Sequence, residues 1–249
     1  MIRISLGNVG SGKTACEVRE MFINRFNRTT YTNILTKKIP NAKVLTAEHI
    51  ISKIPYKTVK KKGGDLEQVY KYELNKSFWS EQKLALNVVL DEAHSILNAR
   101  RSMSKINIIV SDWLALIRRV LGATEQGQGE LVLISQLSNR LDMIARDMAT
   151  QVRYHVCHYL KTCKKCNSSF GENSETPEEI WQCLNCGSGR IYKHQHIIEV
   201  WFFTDMDNFH LWKYSGVKTY YKRIYVNDIE TIFSNYNTLQ WDNMFSNFY

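Results

Sequence analysis

The eight residues GNVGSGKT, Gly7 to Thr14, constrain this chain more than any other segment. They match the phosphate-loop pattern G-x-x-x-x-G-K-[ST] and stand between a short apolar run, Ile2 to Leu6, and a helical stretch, Thr14 to Phe26. The spelling follows from chemistry. Small residues at Gly7, Gly10, Ser11 and Gly12 let main-chain N–H groups curl around a polyphosphate, and the helix N-terminus that follows favours anionic charge. Asn8 and Val9 complete the loop. Lys13 would reach the β and γ phosphates of ATP, and Thr14 would offer its hydroxyl to Mg²⁺. Alone, the string could also be a glycine-rich turn ahead of a helix.

A second apolar run bears on that choice. NVVLDEAH, Asn87 to His94, places Asp91 and Glu92 at the carboxyl end of a strand, Leu84 to Leu90, where ligands bind in open α/β sheets. Asp91 would hold Mg²⁺ directly or through water, and Glu92 would orient and deprotonate an attacking water. Without the glycine loop, the same pair would read as the cap and first-turn acid of a helix beginning over Glu92 to Asn98. A third run, Leu131 to Ser135, ends in Gln136, which can hydrogen-bond a γ phosphate or the lytic water, or simply face solvent. Helical spacing predicts further helices over Ile106 to Leu121, stopped by Gly122, and over Leu137 to Met148. Arg118 and Arg119, near the end of the first, either complement the helix dipole or, in a ring, reach a neighbour's ATP as an arginine finger.

Apolar runs alternating with helices predict an α/β fold, a mostly parallel central sheet flanked by helices. Val152 to Leu160 and Ile191 to Phe203 read as neighbouring strands with a small module inserted between them. Lys53 to Lys71 reads as an exposed basic loop or hairpin, with Lys60, Lys61 and Lys62 beside Gly63 and Gly64. That cluster is a candidate DNA contact or a solvated surface. The net charge of +9 suits a polyanionic partner. A composition that is 44% hydrophobic with only 3 Pro excludes a disordered chain. No apolar run approaches the ~20 residues of a membrane helix. The N-terminus lacks a secretory signal, so the expected location is cytoplasmic and away from membranes.

Four of the 6 Cys form two C-x-x-C pairs, Cys163 with Cys166 and Cys183 with Cys186, which bracket 16 residues. Two such pairs at this spacing read as a structural Zn²⁺ site, four thiolates closing a tetrahedral shell. A redox dithiol or an iron–sulfur cluster is the less fitting reading. Gly187 suits the turn of a knuckle. Glu172, Glu175, Glu178 and Glu179 make the tip of this ribbon acidic, which predicts docking to a protein. The chain thus divides into a core over 1–160, a zinc-ribbon module over 161–190, and strands and a tail over 191–249 that complete the core.

Together these pieces resemble the FtsK–HerA superfamily of P-loop pumping ATPases, most closely its small viral branch. That branch includes genome-packaging ATPases of archaeal and other icosahedral viruses and zonula-occludens-toxin-like morphogenesis ATPases of filamentous phages. The resemblance rests on GNVGSGKT, on VVLDEAH followed by Arg100 and Arg101, and on the helix ending Ile117, Arg118, Arg119. It also rests on LVLISQ followed by LDMIARDMAT and on YYKRIYVNDIETI, Tyr220 to Ile232. It covers most of the chain outside the cysteine module. The resemblance implies a RecA/FtsK-like P-loop NTPase core that assembles as a ring, a hexamer. Such a ring would hydrolyse ATP to translocate double-stranded DNA into a preformed capsid in the host cytoplasm, with a capsid or vertex protein as partner. The alternative within the same branch is a virion assembly or secretion ATPase that moves no DNA. Filamentous-phage members usually carry a membrane anchor, and its absence from this sequence favours the packaging type as the expectation.

Overall fold

The computed structural model describes residues 1–24, 28–60, 66–82, 86–97, 105–122, 129–163, 165–171, 183, 185–187, 192–227 and 229–237. The glycine loop joins strand β1 (Ile2–Leu6) to helix α1 (Lys13–Ile23), as its spelling requires. Then come β2 (Thr29–Thr32), β3 (Ala42–Val44), α2 (Ala47–Ile50), the hairpin β4 (Ile51–Lys60) and β5 (Leu66–Leu74), and α3 (Lys76–Ser80). The second apolar run is β6 (Leu86–Leu90), followed by the single turn α4 (Ala93–Ile96), and the long helix is α5 (Lys105–Gly122). The third run is β7 (Leu131–Ser135), followed by α6 (Met143–Asp147). The chain closes with β8 (Gln151–Cys163), β9 (Ser169–Gly171), β10 (Tyr192–Phe203), α7 (Met206–Ser215), β11 (Lys222–Val226) and α8 (Glu230–Phe233).

One sheet runs in the order β11-β10-β8-β1-β7-β6-β2-β3, with β9 paired to the far end of β8. From β8 to β3 all neighbours are parallel, while β10, β11 and β9 add antiparallel strands at one side. Side-chain alternation sorts the core into two layers. Leu131 and Leu133 of β7 join Ile2, Ile4 and Leu6 of β1 on the face covered by Trp113, Leu114 and Ile117 of α5. Val132 and Ile134 join Ala15, Val18 and Met21 of α1 on the other.

The α1-facing side of β1 is polar, because Arg3 and Ser5 occupy it. Their partner is Glu17, only 1% exposed, which accepts from Arg3 Nη2 and from Ser5 Oγ, each at 2.5 Å. Glu20 and Glu130 also reach Arg3, at 2.8 and 2.9 Å. Burial opposes the charge on Arg3, and the three carboxylates more than offset it, so its guanidinium stays ionised.

Two expectations need correction. Leu137 to Met148 is not one helix: a 3-10 turn, Ser138–Arg140, gives way to extended backbone at Leu141, and α6 starts anew. The break comes from Asp142, whose side chain accepts from Ile144 N at 2.9 Å and caps a second start. Only Leu141 and Ala145 are fully buried there, whereas Met143 is 62% exposed. The helix expected over Glu92 to Asn98 is a single turn, because Glu92 itself is left-handed at φ 49°.

Within Lys53 to Lys71, β4 and β5 pair antiparallel as far as Lys60 opposite Leu66, while Lys61, Lys62, Gly63 and Gly64 lie outside the described residues. At the other end of the chain β8 and β10 pair continuously from Val152 with Phe203 out to Cys163 with Tyr192. The cysteines therefore stand at the far end of this strand pair, where β9 also joins β8. Among the described residues, no helix is long and apolar enough to cross a membrane.

Candidate functional site

The sheet order brings β1, β7 and β6 side by side, so their carboxyl ends present the glycine loop, Gln136, and Asp91 with Glu92 along one edge. The loop is tight. At Gly7 (φ 153°) a Cβ would lie 2.6 Å from the His155 carbonyl, and at Gly12 (φ 83°) it would lie 2.0 Å from Ile198 Cδ1. Neither position accepts a side chain. Between them Ser11 N donates to Asn8 O at 3.2 Å, and Ser11 Oγ is buried with no hydrogen-bond partner among the described residues. Val9 is exposed. A concave loop with an orphaned hydroxyl is chemically suited to phosphate oxygens.

Lys13 and Thr14 open α1. The Lys13 ammonium, buried, folds back onto the carbonyls of Gly7 at 3.0 Å and Asn8 at 2.8 Å. Burial pulls its pKa down, while Asp91 and Glu92 oppose that. Thr14 Oγ1 donates to Asp91 Oδ2 at 2.8 Å. Burial pushes the Asp91 carboxyl up, and hydrogen bonds from Thr14 and the Glu92 N–H restrain it. A hydroxyl beside a carboxylate is a hard oxygen pair of the kind Mg²⁺ takes.

Glu92 hangs from the same edge. Its Oε1 accepts from Gln136 Nε2 at 3.0 Å, and its Oε2 lies 3.2 Å from His94 Nδ1. His94 in turn lies 3.4 Å from Ser135 Oγ. Left-handed backbone at a non-glycine residue costs ~1–3 kcal/mol, and here it turns the carboxylate away from a helix first turn and toward Gln136. The sequence reading missed three residues around this edge. Asn33 clamps the Asp91 backbone, accepting from its N–H at 2.7 Å and donating to its carbonyl at 2.9 Å. His94 is visible in NVVLDEAH, but Asn33, just after a polar four-residue strand, carries no signal of its own. The third is His155, fully buried, with Nδ1 3.1 Å from the Leu6 carbonyl just ahead of the glycine loop.

Arg118 and Arg119 are not brought to this edge. They are exposed in the last turns of α5, whose Leu121 carbonyl accepts from Gly129 N beside the amino ends of β1 and β7. Of the lysine cluster, only the backbone of Lys60 falls within the described residues.

The four cysteine sulfurs lie within 4.8 Å of one another, with Cys163 to Cys186 at 3.7 Å and Cys166 to Cys183 at 3.4 Å. Thiolates ~2.3 Å from a tetrahedral Zn²⁺ would sit ~3.8 Å apart, so the set fits that ion. Each pair forms the same knuckle. Asn167 N donates to Cys163 O and Gly187 N to Cys183 O, both at 2.8 Å, and both residues following a pair are left-handed, φ 56° and 64°. Hydrogen bonding with the Ser168 side chain and backbone lowers the Cys166 thiol to about 6. Glu172, Glu175, Glu178 and Glu179 lie outside the described residues.

A model of the zonular occludens toxin (Zot) family matches residues 1–162, from β1 nearly to the first cysteine. The chain belongs to that family. The crystal structure of the N-terminal domain of zonular occludens toxin from Neisseria meningitidis is similar to this Zot-family chain. Identity is 18%, coverage is 95% of this chain and 98% of that one, and the TM-score is 0.45. The genome packaging NTPase B204 from Sulfolobus turreted icosahedral virus 2, in complex with ATP-gammaS, is 13% identical. It covers 61% of this chain and 74% of its own, with a TM-score of 0.36. No curated protein matches this Zot-family chain.

Proposed function

We propose that this chain is a P-loop ATPase that drives a step of virion assembly. The observation that carries the reading is the convergence at one sheet edge of Lys13, the Thr14–Asp91 pair 2.8 Å apart, and Glu92 held by Gln136 at 3.0 Å. In this reading the glycine loop and Ser11 Oγ receive the phosphates, and Lys13 exchanges two loop carbonyls for phosphate oxygens. A Mg²⁺ ion held by Thr14 and Asp91 would neutralise charge on the β and γ phosphates. Glu92 accepts the proton of the attacking water, and Gln136, bonded to Glu92, orients that water and senses the γ phosphate. An arginine finger would come from a neighbouring subunit, since Arg118 and Arg119 stand away from their own chain's site. Membership of the Zot family supports assembly as the use of this hydrolysis.

The second reading is translocation of double-stranded DNA by a hexameric ring into a capsid. The net charge of +9 and the hairpin carrying Lys53, Lys57, Lys60 and Lys71 favour it. The four cysteines would hold structural Zn²⁺ and present the ribbon to a capsid or vertex protein. Steady-state ATP hydrolysis by zinc-loaded protein, with and without linear duplex DNA at low and moderate salt, tests both. Turnover indifferent to DNA supports an assembly ATPase, and stimulation that fades with salt supports a pump. Absence of nucleotide binding would end the ATPase reading altogether.

A further inference from the structure

From Phe209 to Val226 the chain carries Lys213, Lys218, Lys222 and Arg223, six aromatic residues and no acid. The fold gathers most of this segment on one face, formed by α7 and the strands β10 and β11. Trp201 of β10 sits opposite Arg223 of β11, and the Arg223 guanidinium lies 4.5 Å from the Trp201 ring and 5.1 Å from the Tyr225 ring. Trp201 continues to Tyr220 at 4.6 Å and to Trp212 at 5.1 Å. Lys213, one residue on, spans Tyr154 and Tyr214, with Nζ 5.6 and 5.7 Å from their centroids. An unbroken run of rings and cations thus crosses the face from Tyr225 to Tyr214. Both end rings face outward, Tyr214 at 73% and Tyr225 at 54% exposure. Lys222 lies elsewhere, over Phe202.

Basic residues predominate on this face, although α7 also carries the exposed Asp207 in its first turn. Glu199, buried beneath Arg223, neutralises that residue, while Lys213 and Lys218 have no acidic partner among the described residues. Exposed rings with Lys213 beside Tyr214 and Lys218 over Tyr220 match a partner that offers flat rings and regularly spaced negative charge together. A duplex hides its ring faces, whereas an unpaired strand presents both.

We propose that the face formed by β10, β11 and α7 binds single-stranded nucleic acid, with bases stacked on the Tyr214 and Tyr225 rings and phosphates on Lys213 and Lys218. This surface is separate from the glycine-loop edge and from the β4–β5 hairpin. It holds whether or not the chain hydrolyses ATP.

Fluorescence anisotropy of a labelled oligothymidylate with the full chain, without nucleotide, tests it. Three variants serve: Tyr214→Ala with Tyr225→Ala, Lys213→Glu with Lys218→Glu, and Lys60→Ala with Lys61→Ala and Lys62→Ala in the hairpin. Arg223 is left in place so that Glu199 keeps its partner, and circular dichroism checks that each variant folds. The expected result is about tenfold or greater weakening for the tyrosine pair and for the lysine pair. The wild type should show a log–log salt slope of about −1.4 for two phosphates on a single strand. A duplex of equal length should bind more weakly, and the hairpin variant should bind the single strand as the wild type does. Equal binding by the tyrosine variant, or equal affinity for duplex, would overturn the proposal. So would loss confined to the hairpin variant, or a change of oligomeric state in the face variants with strand binding intact, which would make this an interface between copies.

Discussion

The Thr14 hydroxyl meets Asp91 Oδ2 at 2.8 Å although 77 positions separate the two residues and β7 lies between their strands. The first turn of α1 leans across the end of β7 to do so. If this pair and its neighbours form the catalytic edge, Lys13→Ala should abolish nucleotide binding. Glu92→Gln should bind nucleotide normally yet lose about 10²–10⁴-fold in turnover. Binding of a fluorescent ATP analogue and phosphate release measure the two separately, and undiminished turnover in the glutamine variant would remove Glu92 from the role of base.

Among the described residues, Gln136 hydrogen-bonds Glu92 and makes no hydrogen bond to the glycine loop. Gln136→Ala is therefore expected to lower kcat by about 10- to 100-fold with a smaller effect on KM, since the glycine loop and Lys13 keep their phosphate contacts. An equal rise in KM would place the glutamine in ground-state binding instead.

Burial pulls the His155 imidazole down to about 3, against an ordinary value near 6.5. The folded chain holds this group neutral while the unfolded chain protonates it between those values. Its contribution is therefore complete above pH ~6.5 and falls by up to ~1.4 kcal/mol per unit as pH drops toward 3. Denaturant unfolding at pH 7 and pH 5 should show a smaller loss for His155→Gln than for the wild type, and parallel losses would refute the assignment.

Glu17→Ala leaves Arg3 buried with one of its three carboxylates gone and strands the Ser5 hydroxyl. Breaking a buried pair from one side costs ~3–5 kcal/mol. Thermal unfolding should show a large fall, and the conservative Glu17→Gln should restore part of it through Ser5. A neutral alanine variant would mean that Arg3 finds full compensation in Glu20 and Glu130.

Purified protein is expected to carry one zinc per chain, released in step with mercurial titration of four thiols, and to lose it in Cys163→Ser. Removing the metal should disorder the knuckles yet spare nucleotide binding, since β8 anchors to β1 at its opposite end. Metal-free protein with all four thiols reactive would argue against the site.

Much of the proposed catalytic edge is legible because strand termini and chemistry coincide: three apolar runs each end in polar residues, and the sheet aligns those ends. The strand order is not legible, and with it the Gln136–Glu92 contact, since no local pattern says that β7 enters between β1 and β6. β2 escaped because Thr29–Thr32 reads as polar, although three of its four residues are buried. Helix α7 escaped because Trp212, Lys213 and Tyr214 follow one another without a clean apolar stripe. Its start is set by a three-residue reach, Asp205 Oδ1 accepting from Asn208 N at 2.8 Å. Polar strand residues such as Arg3 look like errors until Glu17 supplies the other half of the pair.

The placing of β7 between β1 and β6 also bears on synthesis. A nascent chain that has emerged only through α5 owns both outer strands but not the one that joins them. It therefore exposes the two inner edges of an unfilled slot, each lined with free backbone donors and acceptors. Closing the slot brings Ile2 beside Leu131, a pairing of long sequence separation that slows folding. Truncations ending before β7 should aggregate rather than yield a smaller working domain, and the proposed nucleotide edge can arise only after more than half of the chain has left the ribosome.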